Sequence, residues 1–292
     1  MNDKVQEILN EVGKVIRGKD EAIELVMTAM LAKGHILVED VPGVGKTTLA
    51  VAFSRAMELT ERRLQFTPDV LPSDVVGFNM IGADGEFQYK PGAILCNLLL
   101  ADEINRTSTK TQSALLEVME EGQVTVDGVT RQLPNPFIVV ATQNPVGSAG
   151  TQMLPESQLD RFMIRISMGY PTMEEEVRLI KERQDINPLD FIQESISKRE
   201  LLEMQDQVKQ ELANAWVKLN ETWKRVEIAN STLEIARENL KLNTFSYNEG
   251  KLPILDVLSS QATWLQAYTS VVSANYQYKV AYAEYVKILG GR

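Results

Sequence analysis

Residues 35–48 read His35-Ile-Leu-Val-Glu-Asp-Val-Pro-Gly-Val-Gly-Lys-Thr-Thr48. An apolar run gives way to a loop with two glycines and a lysine. The helix-forming stretch Thr47-Thr-Leu-Ala-Val-Ala-Phe53 follows. This order predicts a strand, a phosphate-cradling loop at Pro42, Gly43, Val44, Gly45, Lys46, Thr47 and Thr48, and a helix. The glycines let backbone N–H groups turn inward around β- and γ-phosphates. Lys46 brings a point charge to the same oxygens, and the Thr47 hydroxyl is offered to Mg²⁺. The helix aims the positive end of its dipole at the phosphate. The general pattern G-x-x-x-x-G-K-[ST] has glycine where this chain has Asp40. That position leads into the loop without touching phosphate closely, so the expected cost is small.

A second motif stands downstream at Asn97-Leu-Leu-Leu-Ala-Asp102-Glu103. Four apolar residues make a short buried strand whose C-terminal end carries two carboxylates, the edge at which open α/β sheets bind ligands. Asp102 is expected to hold Mg²⁺ through water, and Glu103 to polarise the water that attacks a γ-phosphate. Phe137-Ile-Val-Val-Ala-Thr-Gln-Asn144-Pro145 is a further apolar strand ending in an amide, and Asn144 is placed to position that water. Leu154-Pro-Glu-Ser-Gln-Leu-Asp160-Arg161-Phe162 puts an arginine after a short helical segment. Its planar fork suits a transferring phosphoryl group, and donated to a neighbour's site it would make hydrolysis depend on assembly. A local Asp160–Arg161 charge pair is the alternative.

Residues 1 to about 205 resemble the MoxR group of AAA+ ATPases. The likeness is carried by Glu39-Asp-Val-Pro-Gly-Val-Gly-Lys-Thr47, Gln65-Phe-Thr-Pro-Asp-Val-Leu-Pro-Ser-Asp-Val-Val-Gly77 and Ala101-Asp-Glu-Ile-Asn-Arg106. It continues in Lys110–Glu121, Ala141-Thr-Gln-Asn-Pro145 and Leu154–Phe162. The resemblance implies ATP and Mg²⁺ as cofactors and a ring-forming homo-oligomer, usually a hexamer, that remodels or matures client proteins.

The fold is legible independently. Apolar strands near 35–39, 64–67, 97–102, 137–142 and 163–168 alternate with helical stretches near 20–33, 46–58 and 108–121. The alternation predicts an α/β P-loop core, a parallel five-stranded sheet with helices on both faces. Two hairpins are expected beside it, at 77–89 turning on Asp84-Gly85 and at 122–133 turning on Asp127-Gly128.

Past residue 206 the composition shifts. All three tryptophans and six of the eight tyrosines lie there. Residues 208–292 carry ten Lys/Arg against eight Asp/Glu, about +2, so the chain total of −10 leaves about −12 on residues 1–207. This marks a second domain at 207–292, after an ATPase core at 1–206. Leu212, Leu219, Val226, Leu233, Leu240 and Tyr247 recur every seventh residue, with Trp216 and Trp223 in the companion row. After Pro253 the pattern resumes at Val257, Trp264, Val271, Tyr278 and Tyr285, with Tyr268, Asn275, Tyr282 and Leu289 beside it. The heptads predict an all-α long antiparallel coiled-coil hairpin of two helices of about 36 residues; an ordinary two-helix bundle segment is the alternative.

Residues 211–290, with Asn239-Leu240, Tyr247-Asn-Glu-Gly250, Leu255-Asp-Val-Leu258 and Gln261-Ala262, resemble the C-terminal helical hairpin of TolC-family outer-membrane efflux proteins. That likeness implies contact with an efflux adaptor at the turn. It conflicts with the first half: Met1–Asn10 shows no signal-peptide pattern, and no run of 18 apolar residues exists, so a cytoplasmic location is expected. Lys181–Asp190 and Leu201-Leu-Glu-Met-Gln205 look like the opening of the small helical lid of the ATPase family. The rest of that lid is not found, and Arg225 and Arg237 on the heptad helix are poor substitutes for its arginine.

Three functional readings stand. One is a MoxR-like ATPase, one a noncatalytic interaction protein working through its hairpin, and one a chimera that binds nucleotide but turns over poorly. Cys96, the lone cysteine, excludes intrachain disulfides and Cys-metal clusters, and His35, the lone histidine, excludes His-based triads. The acidic balance argues against nonspecific nucleic-acid binding.

Overall fold

The computed structural model describes residues 2–40, 44–83, 85–144, 153–169 and 188–289. The chain divides into two compact units, residues 1–206 and 207–292.

In the first unit five parallel strands lie in the order β2-β5-β8-β1-β9: β1 (Ile36–Glu39), β2 (Glu61–Gln65), β5 (Leu98–Asp102), β8 (Ile138–Gln143) and β9 (Ile164–Ile166). Strand side chains alternate between faces, and the two cores follow that alternation. Ile36, Val38, Leu98, Leu100, Ile138 and Val140 join one core, packed with α1 (Asn2–Val15), α2 (Asp20–Leu31) and α3 (Lys46–Ala56). Leu37, Leu99, Ala101, Val139 and Ala141 join the other, packed with α4 (Pro72–Val76) and α5 (Thr109–Glu121). Both faces are covered, which is why β5 and β8 are buried along their whole length.

Local chemistry sets the helix ends. The Ser108 hydroxyl accepts the Thr111 N–H at the start of α5, and Gly122 in the left-handed region (φ 63°) ends it. The two hairpins are β3 (Phe78–Ile81) with β4 (Phe87–Lys90), and β6 (Gln123–Val126) with β7 (Val129–Gln132). Asp84, where the first was expected to turn, lies outside the described residues.

Three elements differ from expectation. The strand expected near 64–67 runs from Glu61 to Gln65. It is an edge strand, so its Glu-Arg-Arg start faces solvent and leaves no apolar signal. Helix α1 buries Ile8 and Val12 against the first core although no element was expected there. The first long helix, α7 (Lys198–Asn248), has 51 residues rather than about 36. Its start is fixed by a reciprocal cap: the Glu200 carboxylate accepts the Ser197 N–H at 2.9 Å, and the Ser197 hydroxyl accepts the Glu200 N–H at 3.3 Å. Leu201 and Met204 then join the first core, and Gln205 Nε2 donates to the Met30 carbonyl at 2.7 Å.

The second unit pairs the rest of α7 with α8 (Ile254–Ile288). Gly250 (φ 70°) turns the chain and Pro253 caps α8. The Leu219–Leu240 and Val257–Tyr285 rows lie at the seam, partly or wholly buried. The companion rows do not match expectation. They are Thr222, Ala229 and Ala236 on α7, and Ser260, Ala267, Ala274 and Ala281 on α8. Small residues there let the helices approach closely, which displaces the large ones to the flank. Trp216 and Trp223 are about half exposed and pack at a tilt against Tyr285 and Tyr278, at centroid distances of 5.6 and 5.2 Å.

Candidate active site

Strands β5, β8 and β1 are neighbours and parallel, so Asp102, Gln143 and Glu39 end at one edge of the sheet. The glycine loop leaves β1 at the same edge. Pro42 and Gly43 lie outside the described residues. Val44 packs on the first core, and Gly45 takes a left-handed φ of 94° that starts α3. Lys46, Thr47 and Thr48 form the first turn of that helix.

Lys46 is 9% exposed, and its ammonium donates to the Asp40 carbonyl at 2.8 Å. Burial pushes its pKa below the ordinary lysine value, while Asp102, Asp40 and Glu103 pull the other way. Asp40 does more than lead into the loop. Its carboxylate accepts the backbone N–H groups of Met168 and Gly169 and the Ser167 hydroxyl. It thereby ties the loop to the end of β9, a tether that glycine could not supply.

The two carboxylates are held differently. Asp102 Oδ1 accepts the Thr142 hydroxyl at 2.6 Å, and Oδ2 accepts Arg63 Nη2 at 2.6 Å. Glu103 sits in the left-handed region (φ 56°, ψ 47°) and donates its N–H to Thr142 Oγ1 at 2.9 Å. Its Oε2 accepts Gln65 Nε2 at 2.9 Å and Arg106 Nη1 at 2.7 Å. A left-handed glutamate is strained, and three residues, Thr142, Gln65 and Arg106, hold it. Asn144 follows β8 at this edge, partly buried, and its carbonyl accepts Asn105 Nδ2 at 3.4 Å. Arg161 is not brought to this group. Its guanidinium pairs with Glu120 at 2.6 Å, so the expected alternative partner Asp160 is replaced by a residue from the last turn of α5.

Sequence reading gave no role to Arg63, Gln65, Arg106 or Thr142. Arg106 is local, three residues from Glu103; for the other three the signal lay in register, as where Gln65 stands opposite Asp102 in the β2–β5 ladder, and only the topology makes them neighbours. The Asp102 carboxylate and Thr47 hydroxyl are hard oxygen donors of the kind Mg²⁺ takes while keeping several waters and phosphate oxygens. A metal here would rest on few protein atoms, and among the described residues no group of three or more His, Cys, Asp or Glu could hold one. A cavity of about 410 Å³ lies between Gly18, Asp20, Ala22 and Leu25 on one side and Arg165 and Met168 on the other. Two of its lining residues, Ser167 and Met168, donate to the carboxylate of Asp40, which follows β1 and leads into the loop. Burial pushes the Cys96 thiol up to about 12, so it is a core thiol and no nucleophile.

Residues 35–164 match the ATPase family associated with various cellular activities (AAA). The chain is 48% identical over 211 residues to the uncharacterized protein YeaC of Bacillus subtilis, covering 72% of this chain and 66% of that one. It is 47% identical over 171 residues to the chaperone MoxR1 of Mycobacterium tuberculosis, covering 58% and 45%. It thus spans between about half and two thirds of these relatives' lengths. A candidate ATPase from Cytophaga hutchinsonii, solved by crystallography, superposes with a TM-score of 0.65 at 40% identity, covering 74% of this chain and 68% of that one. With Lys46, Asp102 and Glu103 at one end of the five-stranded parallel sheet, this chain belongs, through its first unit, to the AAA ATPases, and that unit is similar to the MoxR proteins.

Proposed function

We propose that the chain binds Mg·ATP at the glycine loop and hydrolyses it, using the cycle to remodel or mature client proteins. The observation that carries this reading is the meeting of Lys46, Asp102 and Glu103 at one sheet edge. In this reading Pro42–Thr48 wrap the phosphates, and Lys46 moves from the Asp40 carbonyl to the β- and γ-oxygens. The cavity beside Gly18 receives the base and ribose. Thr47 and Asp102 hold Mg²⁺, which when bound neutralises phosphate charge. Glu103 accepts the proton of the attacking water and Asn144 orients that water. Arg161 serves the site of a neighbouring copy in a ring, released from Glu120 on assembly. The cytoplasm, where ATP is plentiful, is the setting this work requires.

The hairpin reading is narrower. The left-handed Gly250 and the Pro253 cap are what any tight turn between two helices uses, so an efflux-type adaptor contact there rests on the sequence resemblance alone. Capture of such an adaptor by the full chain, lost on Leu255→Asp, is the result that reading needs.

The ATPase reading is tested with two variants. Lys46→Ala should lower ATP affinity by at least about tenfold, since it removes the phosphate's point charge. Glu103→Gln should keep ATP bound and lose turnover by roughly 10²-fold or more. Calorimetric titration and phosphate release measure the two. Unchanged ATP affinity in Lys46→Ala would sink the assignment of the loop.

A further inference from the structure

Arg63 stands in the site with no part in the chemistry just described. It lies on β2, the edge strand, and its guanidinium reaches across the β2–β5 ladder to Asp102. Asp102 is 8% exposed. A carboxylate that deep is costly without compensating partners. Thr142 takes Oδ1 and Arg63 takes Oδ2, so both oxygens are engaged. Any cation approaching Asp102 meets a second positive charge already seated on the oxygen it needs.

Resting on the metal role given above to Asp102, we propose that Arg63 is the resident counter-ion of the metal site. It keeps the buried carboxylate paired until Mg²⁺ arrives with nucleotide, and it must release Oδ2 for the metal or its water to bind.

The strand geometry supports both halves. Because β2 is at the sheet edge and the Arg63 side chain is about half exposed, the guanidinium has open solvent to swing into. Arg63 and Gln65 are two residues apart and share a face of the strand. Arg63 Nη2 also donates to Gln65 Oε1 at 3.1 Å, while Gln65 Nε2 holds Glu103 Oε2 at 2.9 Å. Release of Asp102 therefore acts on the residue that grips Glu103. One edge strand connects arrival of the metal to the carboxylate that handles the water. Asp102 and Glu103 are both engaged by arginines, Arg63 and Arg106.

The test uses Mn²⁺ as the probe, followed by electron paramagnetic resonance on the full chain without nucleotide. Wild type, Arg63→Gln, Arg63→Lys and Asp102→Asn are compared. Removing the competing charge should tighten Mn²⁺ binding in Arg63→Gln by roughly tenfold, since opposite charges at contact favour and like charges oppose the ion. Arg63→Lys keeps the charge and should stay near wild type, and Asp102→Asn should lose the site. Arg63→Met repeats the neutral change if the glutamine variant folds poorly. A second arm follows ATP binding in EDTA. Equal or weaker Mn²⁺ affinity in the neutral variants overturns the proposal, as does absence of an Asp102-dependent site from all the proteins. Loss of ATP affinity in EDTA by Arg63→Gln also overturns it, because Arg63 would then be a phosphate ligand. The ATPase reading fails separately, if wild type takes up Mn²⁺ at Asp102 but binds no ATP.

Discussion

His35 opens β1 with its imidazole held from both sides. Nδ1 accepts the Val139 N–H at 3.0 Å, so the proton sits on Nε2, which donates to the Met119 carbonyl at 3.1 Å. Protonating Nδ1 would break the first bond and place a charge in a buried setting. Burial accordingly lowers the pKa below 6.5, against a smaller upward pull from the Met119 carbonyl. The unfolded chain then binds a proton at a pH where the folded chain does not. Stability from this residue is present above pH 6.5 and is lost as pH falls from there through the folded value. Melting temperature should drop between pH 7 and 5 in the wild type, and the slope over that window should flatten in His35→Gln. As the sole histidine, it has no rival titrating side chain there. Single residues were the level at which sequence told least. The glycine loop and Asp102-Glu103 could be picked out because their spacing is local. Arg63, Gln65 and Thr142 could not, since what recruits them is strand order and register.

Elements fared according to how much apolar surface each must hide. The three inner strands of the sheet, and β9 at its far edge, read as apolar runs, whereas Glu61–Gln65 at the other edge did not. In the hairpin the period of seven was visible but one row was misassigned. Tryptophan attracts attention as a large apolar residue, yet a tight seam excludes it and selects alanine, which carries little hydropathic signal. The seam makes a clear expectation. Ala274 is 9% exposed among Ser260, Ala267 and Ala281 on one stripe of α8. Ala274→Leu adds volume where the helices are closest and should cost about 1–3 kcal/mol by overpacking. Tyr276→Ala, two residues on and 69% exposed, should change stability by less than about 0.5 kcal/mol. Helical circular dichroism on heating measures both. Equal losses would mean that the seam is looser than its small residues imply.

At the scale of the whole chain the two units present different surfaces. The excess negative charge is on residues 1–207, while the second unit is near neutral and leaves large apolar side chains in water. Ile228, Ile235 and Leu242 lie seven residues apart on α7 and are 67%, 71% and 61% exposed. None of the three is at the seam with α8. An exposed apolar stripe of that length favours association, and its heptad spacing suits coiling on another helix. No helix among the described residues is long and apolar enough to cross a membrane, so these side chains are not explained by a bilayer span. The nucleotide-driven ring expected of the first unit and hairpin-driven association are therefore separable. Ring formation should respond to ATP and to Lys46→Ala. Hairpin association should ignore both and respond to Ile228→Gln, Ile235→Gln and Leu242→Gln together, which leave the seam intact. In light scattering without nucleotide, the wild type should exceed monomer mass and the triple variant should approach it, with helicity unchanged. In ATP the triple variant should still assemble if the first unit closes a ring alone. If it stays monomeric in ATP, the hairpin supplies contacts that the ring requires. If wild type and variant are both monomers without ATP and both form one hexameric mass with it, the stripe drives no association of the chain with itself.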